Sequence, residues 1–141
     1  MLFAGGAFKI GDQTIETAAT ALTPSVTYTS IDIGTSSASE TVSGAGAKVI
    51  FTDDATKNSF VKITNFGSDD LIRVTGATSY DFTTGDLDGD GAADDLSISL
   101  SNAETGIINE IFVLNSVSPE AFVEDRASAV SAVGFNFITF G

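Results

Sequence analysis

Apolar and polar residues alternate along most of this chain. The period is two over Phe60-Val61-Lys62-Ile63-Thr64, over Leu71-Ile72-Arg73-Val74 and, most cleanly, over Asp95-Leu96-Ser97-Ile98-Ser99-Leu100. A strand sends successive side chains to opposite faces, so Leu96, Ile98 and Leu100 are expected to face a core and Asp95, Ser97 and Ser99 to face out. Val26, Tyr28 and Ser30 alternate with Thr27 and Thr29, and Ile31 and Ile33 then shift the phase. Lys48–Thr52 is a short β-type run. Ile107–Leu114 is apolar on both faces, which predicts a central strand. Near the C-terminus, Phe135, Phe137 and Thr139 alternate with Asn136, Ile138 and Phe140. Clusters of Gly, Asn, Asp and Ser separate these runs. Roughly eight short strands with frequent turns predict an all-β fold, a β-sandwich or jelly roll.

Two segments depart from this pattern and predict one or two short helices. Ser118-Pro119-Glu120 is a helix start, with Ser as N-cap, Pro at the first position and an acid in the first turn. That helix is expected to run through Phe122 and Arg126 toward Ala129. Near the N-terminus, Ile15, Ala18, Ala19 and Leu22 share one helical face, and Pro24 closes the stretch. The Ser, Thr, Gly and Ala of Gly34–Gly46 predict a long loop or a poorly packed edge. No internal repeat of fixed period is visible.

The length of 141 residues fits one domain, and 43% hydrophobic residues with a mean hydropathy of +0.24 can build a core. Six basic and 19 acidic residues give a net charge of −13. That sign argues against nucleic acid and anionic membranes as partners, since both need Lys and Arg to meet phosphate. The chain has no Cys, His or Trp, which excludes disulfides, Cys/His zinc sites and any triad with a His base. Met1–Ile10 lacks the basic and apolar regions of a secretory signal, and no apolar run approaches the ~20 residues of a membrane span.

Asp86-Leu87-Asp88-Gly89-Asp90-Gly91-Ala92-Ala93-Asp94-Asp95 is the most specific stretch. Asp86, Asp88 and Asp90 occupy the first, third and fifth positions, where carboxylates can turn toward one point. Gly91 permits a sharp bend, the Ala92 carbonyl is placed as a backbone ligand, and Asp94 follows at the ninth position. Asp95 adds a further carboxylate. Such crowded anionic oxygens in a flexible loop call for a hard divalent cation, Ca2+ before Mg2+. Asp53-Asp54 and Asp69-Asp70, with Asn58 or Asn65 near, could join a second cation site, or serve as turn formers bonding nearby amides. From Val74 to Asp125 there is no Lys or Arg.

The loop resembles the D-x-D-x-D-G-x-x-D calcium loops of dockerins, thrombospondin type 3 repeats and integrin propeller blades. It departs from an EF-hand, because the twelfth position is Ser97 and strands are expected on both sides. More broadly, the chain resembles calcium-binding, β-rich proteins that bacteria export by type I secretion. Ile63–Val74, an apolar strand, an acidic turn and a second apolar strand, carries that likeness, with the apolar tail Gly134–Gly141. The glycine-rich nonapeptide repeat of the RTX members is absent, so their β-roll is not implied.

Catalysis is not expected. Glu110 lies in an apolar strand, but the chain has no Trp platform and only Tyr28 and Tyr80, and Gly44-Ala45-Gly46-Ala47-Lys48 lacks the spacing of a phosphate-binding loop. The expected function is an extracellular or cell-surface bacterial structural protein, stabilised by calcium and self-assembling into a surface layer, matrix fibre or filament. A homo-oligomer or polymer would form through sheet edges and an exchanged N-terminal arm, residues 1–11, with apolar Leu2, Phe3, Phe8 and Ile10. The alternatives are a monomeric calcium-dependent carbohydrate-binding or adhesion module and a virion decoration protein.

Overall fold

The computed structural model of the protein describes residues 28–34, 40–46 and 48–141. The helix expected at Ile15–Leu22 and the N-terminal arm lie outside the described residues. Among the described residues, nine strands and one helix follow in order: β1 (Tyr28–Asp32), β2 (Glu40–Ser43), β3 (Lys48–Asp54), β4 (Phe60–Thr64), β5 (Leu71–Thr75), β6 (Ser79–Gly85), β7 (Asp95–Asn102), β8 (Ile107–Val113), α1 (Arg126–Val133) and β9 (Ile138–Phe140). They form two sheets, ordered β1-β3-β5-β9 and β2-β4-β8-β7-β6.

The chain crosses between the sheets at each step from β1 to β5, so it winds as a coil. Every pairing in the four-stranded sheet is parallel, as are β2 with β4 and β4 with β8. The hairpin β6–β7 interrupts the coil and extends the second sheet antiparallel to β8. The expected all-β sandwich is what forms. Its pairings are mostly parallel, unlike those of a jelly roll, because strands joined by crossing between sheets return to their own sheet in the same direction.

The period-two pattern sets the core. Phe51, Ile72 and Ile138 stand side by side across the first sheet, and Leu96, Val113 and Ile63 across the second, all buried. Phe82 and Phe137 meet edge to face between the layers, with centroids 6.4 Å apart. At the β6 and β9 side, Tyr80 stacks on Phe140 at 4.2 Å. The strand at Ile107–Val113 is central, and Glu110 on it faces outward, half-buried. Within Gly34–Gly46, Glu40–Ser43 forms the short edge strand β2.

The helix starts later than Ser118 predicts. Ala121 N donates to Ser118 O at 2.9 Å, so Ser118-Pro119-Glu120-Ala121 closes a single turn and stops. Asp125 is the N-cap: its carboxylate accepts from Ser128 N at 2.8 Å and Ser128 Oγ accepts from Asp125 N at 3.0 Å. This reciprocal pair satisfies two orphan amides where Ser118 satisfies one weakly. Gly134, with φ 100°, ends the helix in the left-handed conformation.

Candidate metal centre

Gly85 and Asp95 are the last paired residues of the β6–β7 hairpin, and residues 86–94 connect them. A hairpin loop this long needs internal order, since two to five residues are usual. Its own carboxylates supply that order. Asp86 accepts from Gly89 N at 2.8 Å and from Gly91 N at 3.0 Å. Asp88 accepts from Asp90 N at 3.0 Å, and Asp90 from Ala92 N at 2.8 Å, each two residues on. Gly89 and Gly91 take φ of 84° and 95°, which permits the successive bends.

Asp95 corrects the alternation read from the sequence. It does not face out; it is fully buried. One carboxylate oxygen accepts from Leu87 N at 2.6 Å and Asp88 N at 3.1 Å, and the other from Asn115 N at 2.7 Å. Three backbone donors offset the cost of burying the carboxylate and pin the loop to the chain after β8. The cause of the burial is therefore the loop folding back over the start of β7, which strand periodicity does not encode.

Asn115 is a residue that sequence reasoning missed. Its φ of 54° lies in the left-handed region, where Asn is enriched, and its Nδ2 donates to Asp88 at 3.1 Å. The only signal was an Asn directly after an apolar strand. Asp94 O accepts from Ser116 N at 2.9 Å and Val117 N at 3.0 Å, completing the dock.

The folding of the loop gathers Asp86, Asp88 and Asp95, with one carboxylate oxygen of each within 4.8 Å of the others. Two oxygens bound to one calcium at about 2.4 Å can be at most about 4.8 Å apart, so this spacing is within reach of one ion. Asp90 and Asp94 are not in this group, and the Ala92 amide is engaged with Asp90. Asp94 Oδ1 is shielded without a hydrogen-bond partner among the described residues. That desolvation, then the neighbouring charges of Asp90 and Asp95 and more weakly Asp88, pushes the Asp94 carboxyl above the ordinary range. The donor set is hard oxygen throughout, suited to calcium and unsuited to soft metals.

The other acidic pairs do structural work. Asp70 is buried and accepts from Val49 N at 2.9 Å and Gly67 N at 2.8 Å; Asp69 is exposed. Asp54 accepts from Thr56 N and Oγ1 and pairs with Lys57 at 3.4 Å, and the Thr56 bonds foremost lower its pKa. Asp53 points between the sheets, where Ser59 Oγ donates to it at 3.1 Å and Asn109 Nδ2 at 3.2 Å. Asn109 Oδ1 in turn accepts from Ser59 N at 3.0 Å. Burial raises the Asp53 pKa despite the opposing bonds from Asn109 and Ser59. Beside it, Asp32, Asp54, Lys57 and Arg73 line a pocket of about 230 Å3 of mixed charge. Asn58 makes no part of these contacts, and Asn65 Nδ2 donates to Ser43 Oγ at 3.2 Å.

No protein-family model matches the chain, and neither a curated protein nor a solved structure shows significant similarity to it. No helix of the described residues is long and apolar enough to cross a membrane.

Proposed function

We propose that this is a calcium-stabilised structural protein working outside the cell, in a bacterial surface layer, matrix or filament. The observation that carries the calcium part is the gathering of Asp86, Asp88 and Asp95, on a loop already shaped by its own amides. Three carboxylates so close repel one another, and a bound divalent cation reverses the sign of that term. Loops of this ligand type suit the calcium levels found outside cells, where affinities of about 10⁻⁴ to 10⁻³ M suffice. Asp90, Ala92 or Asp94 would complete the shell by a local rearrangement of the loop.

Two features support assembly. The net charge of −13 keeps subunits apart until cations neutralise it. The edges of β1 and β2 have no strand neighbour among the described residues. Calorimetric titration of the folded protein with calcium tests the site, and electron microscopy with and without calcium tests the assembly. Ordered polymers in calcium are expected; monodisperse particles that bind glycans would favour the adhesion module instead.

A further inference from the structure

At one margin of the four-stranded sheet lies β9, a strand of three residues with β5 on one side of it. Ile72 N donates to Phe137 O at 2.8 Å, and Gly141 N donates to Val74 O at 2.9 Å. The N–H and C=O of one strand residue point to the same side, and those of the next residue to the other. Phe137, Thr139 and Gly141 therefore turn their backbone groups toward β5, and Ile138 and Phe140 turn theirs away from it. Such an outward row is a template for a strand of another chain.

Arg126 stands across that row. Its Nη2 donates to Ile138 O at 2.7 Å and to Asn136 Oδ1 at 3.3 Å, and its guanidinium carbon lies 5.7 Å from the Phe140 ring centre. The Phe140 ring stacks in turn on Tyr80 of β6, at 4.2 Å. One series of contacts thus runs from the helix, across the margin of one sheet, to the edge strand of the other.

Local preferences do not explain an arginine at this position. It is the first residue of α1, where the unpaired amides of the helix start carry partial positive charge and favour acids. Its Nε is shielded without a hydrogen-bond partner among the described residues, which costs further stability. Both of its hydrogen-bond acceptors are neutral oxygens. It is also the single Lys or Arg between Val74 and Gly141. A residue that breaks its local rules is expected to be compensated elsewhere, and what Arg126 gains is the contact with β9.

We propose that Arg126 closes the β9 edge against a second copy of this chain. Without it, Ile138 and Phe140 pair with the same residues of a second β9, antiparallel about a twofold axis, and a closed dimer results. In the parent, that pairing must first break the bond from Arg126 to Ile138 O. A bond from a charged donor is strong enough that its removal should tighten dimerisation roughly tenfold or more. The closed margin is the one opposite β1, so assembly through the β1 edge is left free.

Sedimentation equilibrium of Arg126→Ala, Arg126→Met and the parent tests this, in excess chelator so that the proposed calcium-dependent assembly is off. Arg126→Met keeps an unbranched stem against Phe140 and loses the donor. Arg73→Ala, on the exposed face of β5, is the control, because it removes the same charge. Deleting a cation from a chain of net charge −13 adds repulsion, so charge alone predicts weaker association. Both Arg126 variants are expected to dimerise, with residues 138–141 newly protected from hydrogen exchange, while the parent and Arg73→Ala stay monomeric. Should Arg126→Ala fail to fold, Arg126→Met decides alone. A folded Arg126→Met as monomeric as the parent would overturn the proposal. So would dimers of the parent or of Arg73→Ala, or variant dimers that leave β9 unprotected.

Discussion

Asp53 and Asp95 are both buried aspartates, and they are held by opposite means. Asp53 sits inside the sandwich, where the Asn109 amide and the Ser59 hydroxyl donate to it across the two sheets. Asp95 sits at the sandwich end, where three backbone amides from two loops converge on it. The first group is complete with neutral side chains of the fold. The second draws Asp86 and Asp88 close to a third carboxylate. The difference teaches that burial alone does not single out a candidate metal-binding acid; what singles it out is carboxylates gathered beyond the needs of the local hydrogen bonds.

The largest effect is expected at the first group. Asn109→Ala removes the donor to Asp53 and the acceptor of Ser59 N, and should destabilise the fold by about 3 kcal/mol in chemical denaturation. A change below about 1 kcal/mol would show that water replaces the amide readily. The proposed calcium site comes next. With free calcium at about 100 times Kd, linkage gives about 2.7 kcal/mol of stabilisation, and Asp88→Ala should remove most of it while leaving the calcium-free stability far less changed. An equal calcium response in the variant would place the ion elsewhere.

Acid pH separates the two groups further. Burial raises the Asp53 pKa above its unfolded value, so protonation favours the folded state. Its contribution is fully present below the unfolded pKa near 3.8 and is lost as pH rises through the folded value. Asp53→Asn mimics the protonated acid, so its Tm gain over the parent should be greatest at neutral pH and shrink as pH falls. A gain independent of pH would remove titration as the cause. The smallest effect is at the helix cap. The Asp125 pKa is lowered by its bonds to Ser128, so that support is present above the unfolded pKa and lost as pH falls through the folded one. Asp125→Ala should lower Tm slightly at pH 7 and not at pH 2; a drop of equal size at both would deny the cap its charge.

Much of the sandwich was legible in the alternation of Leu96, Ile98 and Leu100 and in the two-faced apolar run at Ile107–Val113, because inside and outside follow directly from strand geometry. The coil was not legible. Ile31, Phe51, Ile72 and Ile138 share a column but stand 20, 21 and 66 residues apart, so no fixed period betrays the stacking. At the candidate site, the spacing of Asp86, Asp88 and Asp90 and the extra carboxylate of Asp95 were visible, yet Asp90 accepts from the Ala92 amide, and the gathered group is Asp86, Asp88 and Asp95. The placing of Asp95 depends on Asn115, twenty positions away, and on a loop folding over the end of a strand. Local patterns carry neither.

The central claim is that the gathered carboxylates of the β6–β7 loop hold calcium and that the ion stabilises the fold. Differential scanning calorimetry of the intact protein, in saturating calcium and then in excess chelator, tests this most directly. At calcium near 100 times Kd, the account predicts a Tm roughly 8 °C higher with calcium than with chelator, with Asp88→Ala nearly unresponsive. Identical melting curves for the intact protein in calcium and in chelator would contradict it.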